Sequence, residues 1–325
     1  MKQHIETIKH ILEHGDLVTN DRSGSGMFSV IGIQEKYPLL DGSFPLVTTR
    51  KINFEKTLLE LIWFIKGNPD TTFLENTKVP FWTKWTSKIT NTIGPMYPLI
   101  WRNLPVVSFF NGKQEIKGID QLAMLVSGLE KDIQTNTISR RHYLSNVNLG
   151  SRPNASLSPT ENVENGFMAL DTCHREFFVS LRELTEQELV EVKKYREEQA
   201  KEFGEVDNRP LPKYKLKTCL TMRSNDVGVG KPHNIAQYAC MNFILAHVLN
   251  CHPGEHVHQV NDAHIYLTHV DTIMEQAQRE CLPLPKLYIS QELTRDKLLT
   301  GDIFTKYFFV KNYQHHPALK FSLEG

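Results

Sequence analysis

Residues 215–250 read KLKTCLTMRSNDVGVGKPHNIAQYACMNFILAHVLN. Along Lys215–Met222 polar and apolar residues alternate, the period of a strand with one buried side. Asn234–Asn250 then predicts a helix that ends near Pro253 and Gly254. Between them lies a polar joint, Arg223-Ser-Asn-Asp226, followed by Gly228 and Gly230.

Working outward, Glu176–Leu181 (EFFVSL), Pro285–Ser290 (PKLYIS) and Phe304–Tyr313 (FTKYFFVKNY) are further strand candidates. Phe54–Lys66 (FEKTLLELIWFIK) predicts a helix that is apolar nearly all round, closed by Gly67 and Pro69. Ile5, Ile8 and Leu12 mark one face of an N-terminal helix, with Gly15 at its stop. Strands and helices in this irregular order predict an α/β (α+β) sheet protein, one domain over residues 1–325. Residues 183–213 form a charged insert containing TEQELVEVKKYREEQAKEF, a good helix former with few apolar anchors, so a solvated helix is expected there.

The chain has 325 residues, 37 basic and 37 acidic, so no net field draws in nucleic acid or a membrane. The start, MKQHIETIKHILEHG, lacks the apolar core of a signal peptide, and no apolar run is long enough to span a bilayer. Cys173, Cys219, Cys240, Cys251 and Cys281 are odd in number and scattered, which argues against a disulfide framework and for a reducing cytoplasm. Neither a GxGxxG nor a Walker pattern is present.

Several residues carry potential chemistry. Arg22 sits in the turn-rich TNDRSGSGM, whose backbone N–H groups suit a phosphate, although such turns are mostly only turns. Glu60 lies in the middle of an apolar helix, where a carboxylate is either ion-paired or a proton-handling group. Histidines crowd residues 250–269, but no ligand pair falls at zinc-site spacing and HExxH is absent; on a polar loop they would be solvated or locally hydrogen-bonded. Cys173 precedes His174, and three readings stand: nucleophile, half of a metal site, or small buried thiol.

The series DRSGSG, FPLVTTRK, LLELIWFIKG, FWTKW, IGPMYPLIWR, SRRHYLS, TCH, MRSND, GKPHNIAQY, NDAHIYLTH and YQHHPALK runs in one order from end to end. In this the chain resembles the thymidylate synthase and pyrimidine nucleotide hydroxymethylase family. The resemblance implies a mixed twisted sheet with a central buried helix, a homodimer formed sheet to sheet, and transfer of a one-carbon unit from 5,10-methylenetetrahydrofolate to carbon 5 of dUMP, with no metal. It makes Cys173 the covalent nucleophile: a thiolate adding at carbon 6 turns the ring into an enolate whose carbon 5 can attack. It implies that Arg22, Arg223 and Ser224 hold the phosphate, with Arg140 and Arg141 lent to the partner subunit's phosphate. His264 and Tyr266 would hold the deoxyribose hydroxyl. Glu60 would relay protons, and Tyr97 would stand beside the base and the cysteine. Trp82, Trp85, Asp226, Gly230 and Arg50 would face the folate. Asn234 would accept from uracil N3–H and donate to O4, a pattern that cytosine reverses; the family's deoxycytidylate hydroxymethylases carry Asp there.

The chain also departs from the synthase pattern. Thr172 stands where a proline is usual, Met222-Arg-Ser-Asn-Asp226 replaces Gln-Arg-Ser-Cys-Asp, Pro98 replaces a glycine, and His233 an aromatic residue. The tail ends Phe321-Ser-Leu-Glu-Gly325, with a charge where the family's tail is apolar. These changes lead to the expectation that water, positioned by Glu324, His233 or Glu60, traps an exocyclic methylene intermediate to give 5-hydroxymethyl-dUMP. Such an enzyme would serve modified-base synthesis, as in some phages, acting in a host cytoplasm. The alternative is reductive methylation to dTMP with dihydrofolate as co-product. A catalytically silent binding protein is the reading from another class.

Overall fold

The computed structural model describes residues 1–19 and 24–324, with Phe110 described in its backbone only. The chain opens with α1 (Lys2–His14), β1 (Asp16–Thr19), β2 (Gly26–Pro38), α2 (Phe54–Lys66), α3 (Thr72–Asn76) and α4 (Tyr97–Asn103). A hairpin of β3 (Leu104–Phe110) and β4 (Lys113–Ile119) leads to α5 (Gln121–Thr135), β5 (Tyr143–Ser145) and α6 (Pro159–Glu164). Then come β6 (His174–Glu183), α7 (Glu186–Phe203), β7 (Tyr214–Asp226), α8 (Gly230–Val248) and β8 (His252–Tyr266). The chain closes with α9 (Val270–Gln278), β9 (Lys286–Ile289), α10 (Arg295–Thr300) and β10 (Phe308–Lys311).

Six strands form one sheet in the order β1-β2-β8-β7-β6-β5. Every pairing is antiparallel except β7 with β8. Parallel neighbours require a crossover, and α8 is that crossover, returning across the sheet it connects. It is buried nearly all round, from Ile235 to Ala246, because the sheet covers one side and α2 another. This is the mixed sheet with a central buried helix that the resemblance implied. The helix begins at Gly230, four residues before the expected start, since Pro232 in a first turn needs no hydrogen-bonded N–H.

Helix α2 has the expected bounds. The Asn53 side chain accepts from Lys56 N–H, and Gly67 ends the helix at φ 76°, the left-handed region that favours glycine. A Cβ on Gly67 would meet Arg102 Cβ at 2.5 Å, so both backbone and packing require glycine there.

Two expectations need correction. The charged insert is not a solvated helix. Val192, Tyr195, Arg196 and Gln199 make one buried face of α7; the Tyr195 hydroxyl donates to Leu287 O at 2.8 Å, and the Gln199 side chain accepts from Ile289 N–H. A few anchors suffice when they are large and aligned. The histidines after Asn250 are not on a polar loop either. His252, His256, His258 and His264 lie along β8, an inner strand flanked by β2 and β7, His269 follows it in a 3-10 turn, and all five are buried. No helix among the described residues is long and apolar enough to cross a membrane.

Topology decides where chemistry collects. The start of β6, the ends of β7 and β8, and the start of β2 meet at one end of the sheet: His174 pairs with Met222, Asp226 with His264, and Met27 with Tyr266.

Candidate active site

Cys173 is half-buried immediately before β6. Its backbone is clamped from two sides, since its N–H donates to Tyr97 Oη at 2.9 Å and its carbonyl accepts from Arg223 N–H at 2.7 Å. The Arg223 guanidinium donates to the sulfur at 3.6 Å and reaches the Asp171 and Thr172 carbonyls. A guanidinium beside a sulfur favours its thiolate. Thr172 is buried, and its hydroxyl donates to Asn146 O at 2.9 Å. The threonine that stands in place of the usual proline is thus tied into the site by a local hydrogen bond.

Tyr97 begins α4 and stacks on His174 at 4.7 Å. Burial, with the nearby cysteine next in effect, pushes its hydroxyl well above the usual phenol range, so it remains a neutral donor. Burial lowers His174 to about 3, which keeps its imidazole neutral. Pro98, second in α4, sits in a first turn, where its missing N–H costs nothing.

Glu60 projects from α2. Its carboxylate accepts from Trp82 Nε1 at 2.7 Å and from Gln237 Nε2 at 3.2 Å. Both donors are neutral, so among the described residues the ion-pair reading gains no support. Burial raises its pKa to about 7, against the two hydrogen bonds. Gln237 Oε1 is buried without a partner among the described residues, which leaves an acceptor beside this acid.

Ser224, on β7, lies 3.4 Å by its hydroxyl from His264 Nδ1, which also meets Asp262 Oδ1 at 3.0 Å. Tyr266 packs edge-on against His264 at 5.1 Å. These join Arg223 at the common strand end. Arg140 and Arg141 do not; both are exposed just before β5, with β6 between them and β7. Arg22 lies outside the described residues.

A second cluster adjoins the first. The Trp82 and Trp85 rings are 5.9 Å apart, and Trp82 is 5.9 Å from Tyr97. Asp226 Oδ1 accepts from Gly228 N–H at 2.8 Å and Val229 N–H at 3.2 Å. Arg50 donates to Gly228 O and lies 4.5 Å over the Phe321 ring. Burial lowers Arg50 to about 10, partly offset by Asp226, and its Nε is buried without a partner among the described residues. Flat rings, a carboxylate and an unsatisfied N–H fit a flat heteroaromatic group that bears donors and acceptors. The tail closes this side. Phe321 packs on His269 at 5.3 Å, and Glu324 accepts from Ser25, Thr268 and Ser322 hydroxyls at 2.8–2.9 Å.

Asn234, on the first turns of α8, has both amide ends engaged. Asn225 Nδ2 donates to its Oδ1 at 2.9 Å, and its Nδ2 donates to His174 Nε2 at 2.9 Å. Sequence reading missed Gln237, Asn225 and His258. Gln237 was accessible, since Asn234 and Gln237 are three apart on a helix and share a face. The histidines of β8 each have local partners: His252 with Leu40 O, His256 with Thr218, and His258 with Asn225. Among the described residues no group of three His, Cys, Asp or Glu side chains is arranged to hold a metal ion.

One end of a mixed sheet thus gathers a guanidinium-flanked cysteine, a buried carboxyl raised to about 7 and an aromatic shelf, groups of the type used by enzymes that act on small polar rings. The thymidylate synthase family model matches residues 2–324. The chain is 33% identical over 320 residues to a protein named thymidylate synthase from Francisella philomiragia, covering 98% of each. It is 34% identical over 323 residues to a thymidylate synthase of Francisella tularensis subsp. holarctica, again covering 98% of each. The chain belongs to the thymidylate synthase family. It is a one-carbon transferase of the family that acts on dUMP with methylenetetrahydrofolate as co-substrate.

Proposed function

We propose that this enzyme is a thymidylate synthase in activity, converting dUMP to dTMP with dihydrofolate as co-product. This reverses the expectation of a hydroxymethyl product, and neither a phage origin nor modified-base synthesis is retained. The observation that carries the reading is the engagement of the groups invoked to position water. Glu324 is turned onto the Ser25 and Thr268 hydroxyls of the surface the tail docks on and onto Ser322 of the tail itself, and those bonds, Ser322 first, lower its pKa. His233 Nδ1 is held 2.6 Å from Thr57 Oγ1, and burial lowers its pKa to about 4. Glu60 is the third, and as the proton-relay carboxylate it serves either product. The names of the relatives support the same reading.

In this reading Cys173 attacks carbon 6, with Arg223 stabilising the thiolate and, together with Ser224, Arg22 and the partner's arginine pair, holding the phosphate. His264 and Tyr266 hold the sugar hydroxyl. Asn234 reads the pyrimidine edge. Glu60, protonated about half the time near neutrality, exchanges protons at the ring. Tyr97 fixes the cysteine backbone. Trp82, Trp85, Asp226, Gly230 and Arg50 receive methylenetetrahydrofolate, which supplies the one-carbon unit and the hydride. The Phe321 tail, seated on Arg50 and His269, keeps the site dry, and exclusion of water favours hydride transfer. Two copies associate through their sheets, with Arg140 and Arg141 completing the partner's site.

Product analysis with dUMP and methylenetetrahydrofolate tests this. Thymidylate with equimolar dihydrofolate is expected. Hydroxymethyl-dUMP without dihydrofolate would overturn it in favour of the water-trapped product. Nucleotide binding with no tritium release from 5-tritiated dUMP would instead point to a silent family member.

A further inference from the structure

We propose that Asn225 is a specificity-positioning residue: held by the buried His258, it sets which way round the Asn234 amide faces the pyrimidine, and so selects uracil over cytosine. The inference rests on the reading of Asn234 as the residue that meets the base.

Asn234 by itself is ambiguous. Turning an amide by half a rotation exchanges its oxygen and nitrogen, and the turned form complements cytosine as well as the first complements uracil. Discrimination therefore requires something that fixes the rotation. Five side chains form an unbroken chain through this residue. Asn225 Nδ2 donates to Asn234 Oδ1 at 2.9 Å, so Asn225 Oδ1 is left to accept from His258 Nε2–H at 3.0 Å. Asn234 Nδ2 donates to His174 Nε2 at 2.9 Å, so the His174 proton sits on Nδ1 and is donated to Tyr238 Oη at 2.9 Å. Asn225, His258, His174 and Tyr238 are all buried. One lone pair and one N–H of Asn234 remain for a base.

His258 anchors the direction. Its Nδ1 is buried without a hydrogen-bond partner among the described residues. An orphaned buried N–H is rarer in folded proteins than an unsatisfied acceptor, so the proton belongs on Nε2, facing Asn225. Burial also holds the ring neutral, with a single proton to place. Reversing the chain would put that proton on Nδ1 with no acceptor.

The test is Asn225→Asp, assayed by tritium release from 5-tritiated dUMP and 5-tritiated dCMP with methylenetetrahydrofolate. A carboxylate only accepts. With His258 still donating to one oxygen, the other demands an N–H from Asn234 and turns its amide around. The ratio of kcat/KM for dUMP over dCMP is expected to fall at least about tenfold, through opposite changes for the two nucleotides. Asn225→Ala removes the anchor without reversing it, and the ratio is expected to fall several-fold; it decides the matter where the Asp variant does not fold. A merely structural role would lower Tm and slow both nucleotides alike, leaving the ratio unmoved. Asn234→Asp, the control, is expected to favour dCMP. If it does and both Asn225 variants keep the wild-type ratio, the inference is overturned. If Asn234→Asp itself leaves the ratio unchanged, the base-reading role of Asn234 fails first.

Discussion

At the scale of single residues, Glu60 shows how one buried acid links stability to chemistry. Burial raises its pKa from 4.5 to about 7, so the folded protein holds a proton that the unfolded chain has already lost. A raised acid favours folding below its unfolded pKa, and that advantage disappears as pH climbs through the folded pKa. The shift corresponds to roughly 3 kcal/mol between about pH 4 and pH 8. Glu60→Gln keeps the shape and removes the titration. Relative to wild type it should therefore gain up to about 3 kcal/mol in denaturant midpoint stability as pH rises across this window. Its kcat should fall about 10²- to 10⁴-fold, the usual worth of a positioned acid-base group. A constant stability difference across pH would show that Glu60 titrates normally. Cys173, Glu60 and Asn234 were singled out in the sequence by their places in an ordered motif series, not by their immediate neighbours. Asn225 and His258 were not, because their meaning lies in a contact between β7 and β8 that no local spacing reports.

Among the elements, α7 gives the clearest lesson about such limits. Its capping box was readable in principle: Thr185 Oγ1 accepts from Glu188 N–H, and the Glu188 carboxylate accepts from Thr185 N–H. Its packing was not, because charge density hides four inward residues. The bounds of α2 were legible because an asparagine cap, an apolar run and a glycine stop all agree. A solvated helix and a packed one differ in what truncation costs. Tyr195 is buried against Phe243, His252 and Tyr288, so Tyr195→Ala should cost about 3–5 kcal/mol. Val190, on the same helix and 64% exposed, should cost no more than about 0.5 kcal/mol on truncation to alanine. Urea unfolding of the two variants measures this, and equal small effects would return α7 to the solvated reading.

For the whole molecule, the proposed exchange of Arg140 and Arg141 between two copies follows from the strand order. Within one copy β6 separates Arg140 and Arg141 from the strand that carries Arg223 and Ser224. Cross-strand partners share a sheet face, and the row Tyr143, Phe178, Cys219, Val257 and Lys36 runs across five strands without one fully buried member. Apolar groups in such a row gain by facing a second sheet. If two copies pair there and exchange arginines, each site draws on both chains. A Cys173→Ser protein then keeps intact arginines but lacks the nucleophile, and an Arg140→Ala, Arg141→Ala protein has the reverse defect. Both arginines are exposed, so their loss should leave folding nearly unchanged while activity falls. Mixing the two inactive proteins under conditions of subunit exchange should restore tritium release from 5-tritiated dUMP, because each mixed dimer holds one site with every part. Sedimentation of the mixture must show dimers. Dimers that form and exchange but regain no activity would mean that the arginine pair serves its own chain, and that the phosphate is held without the partner.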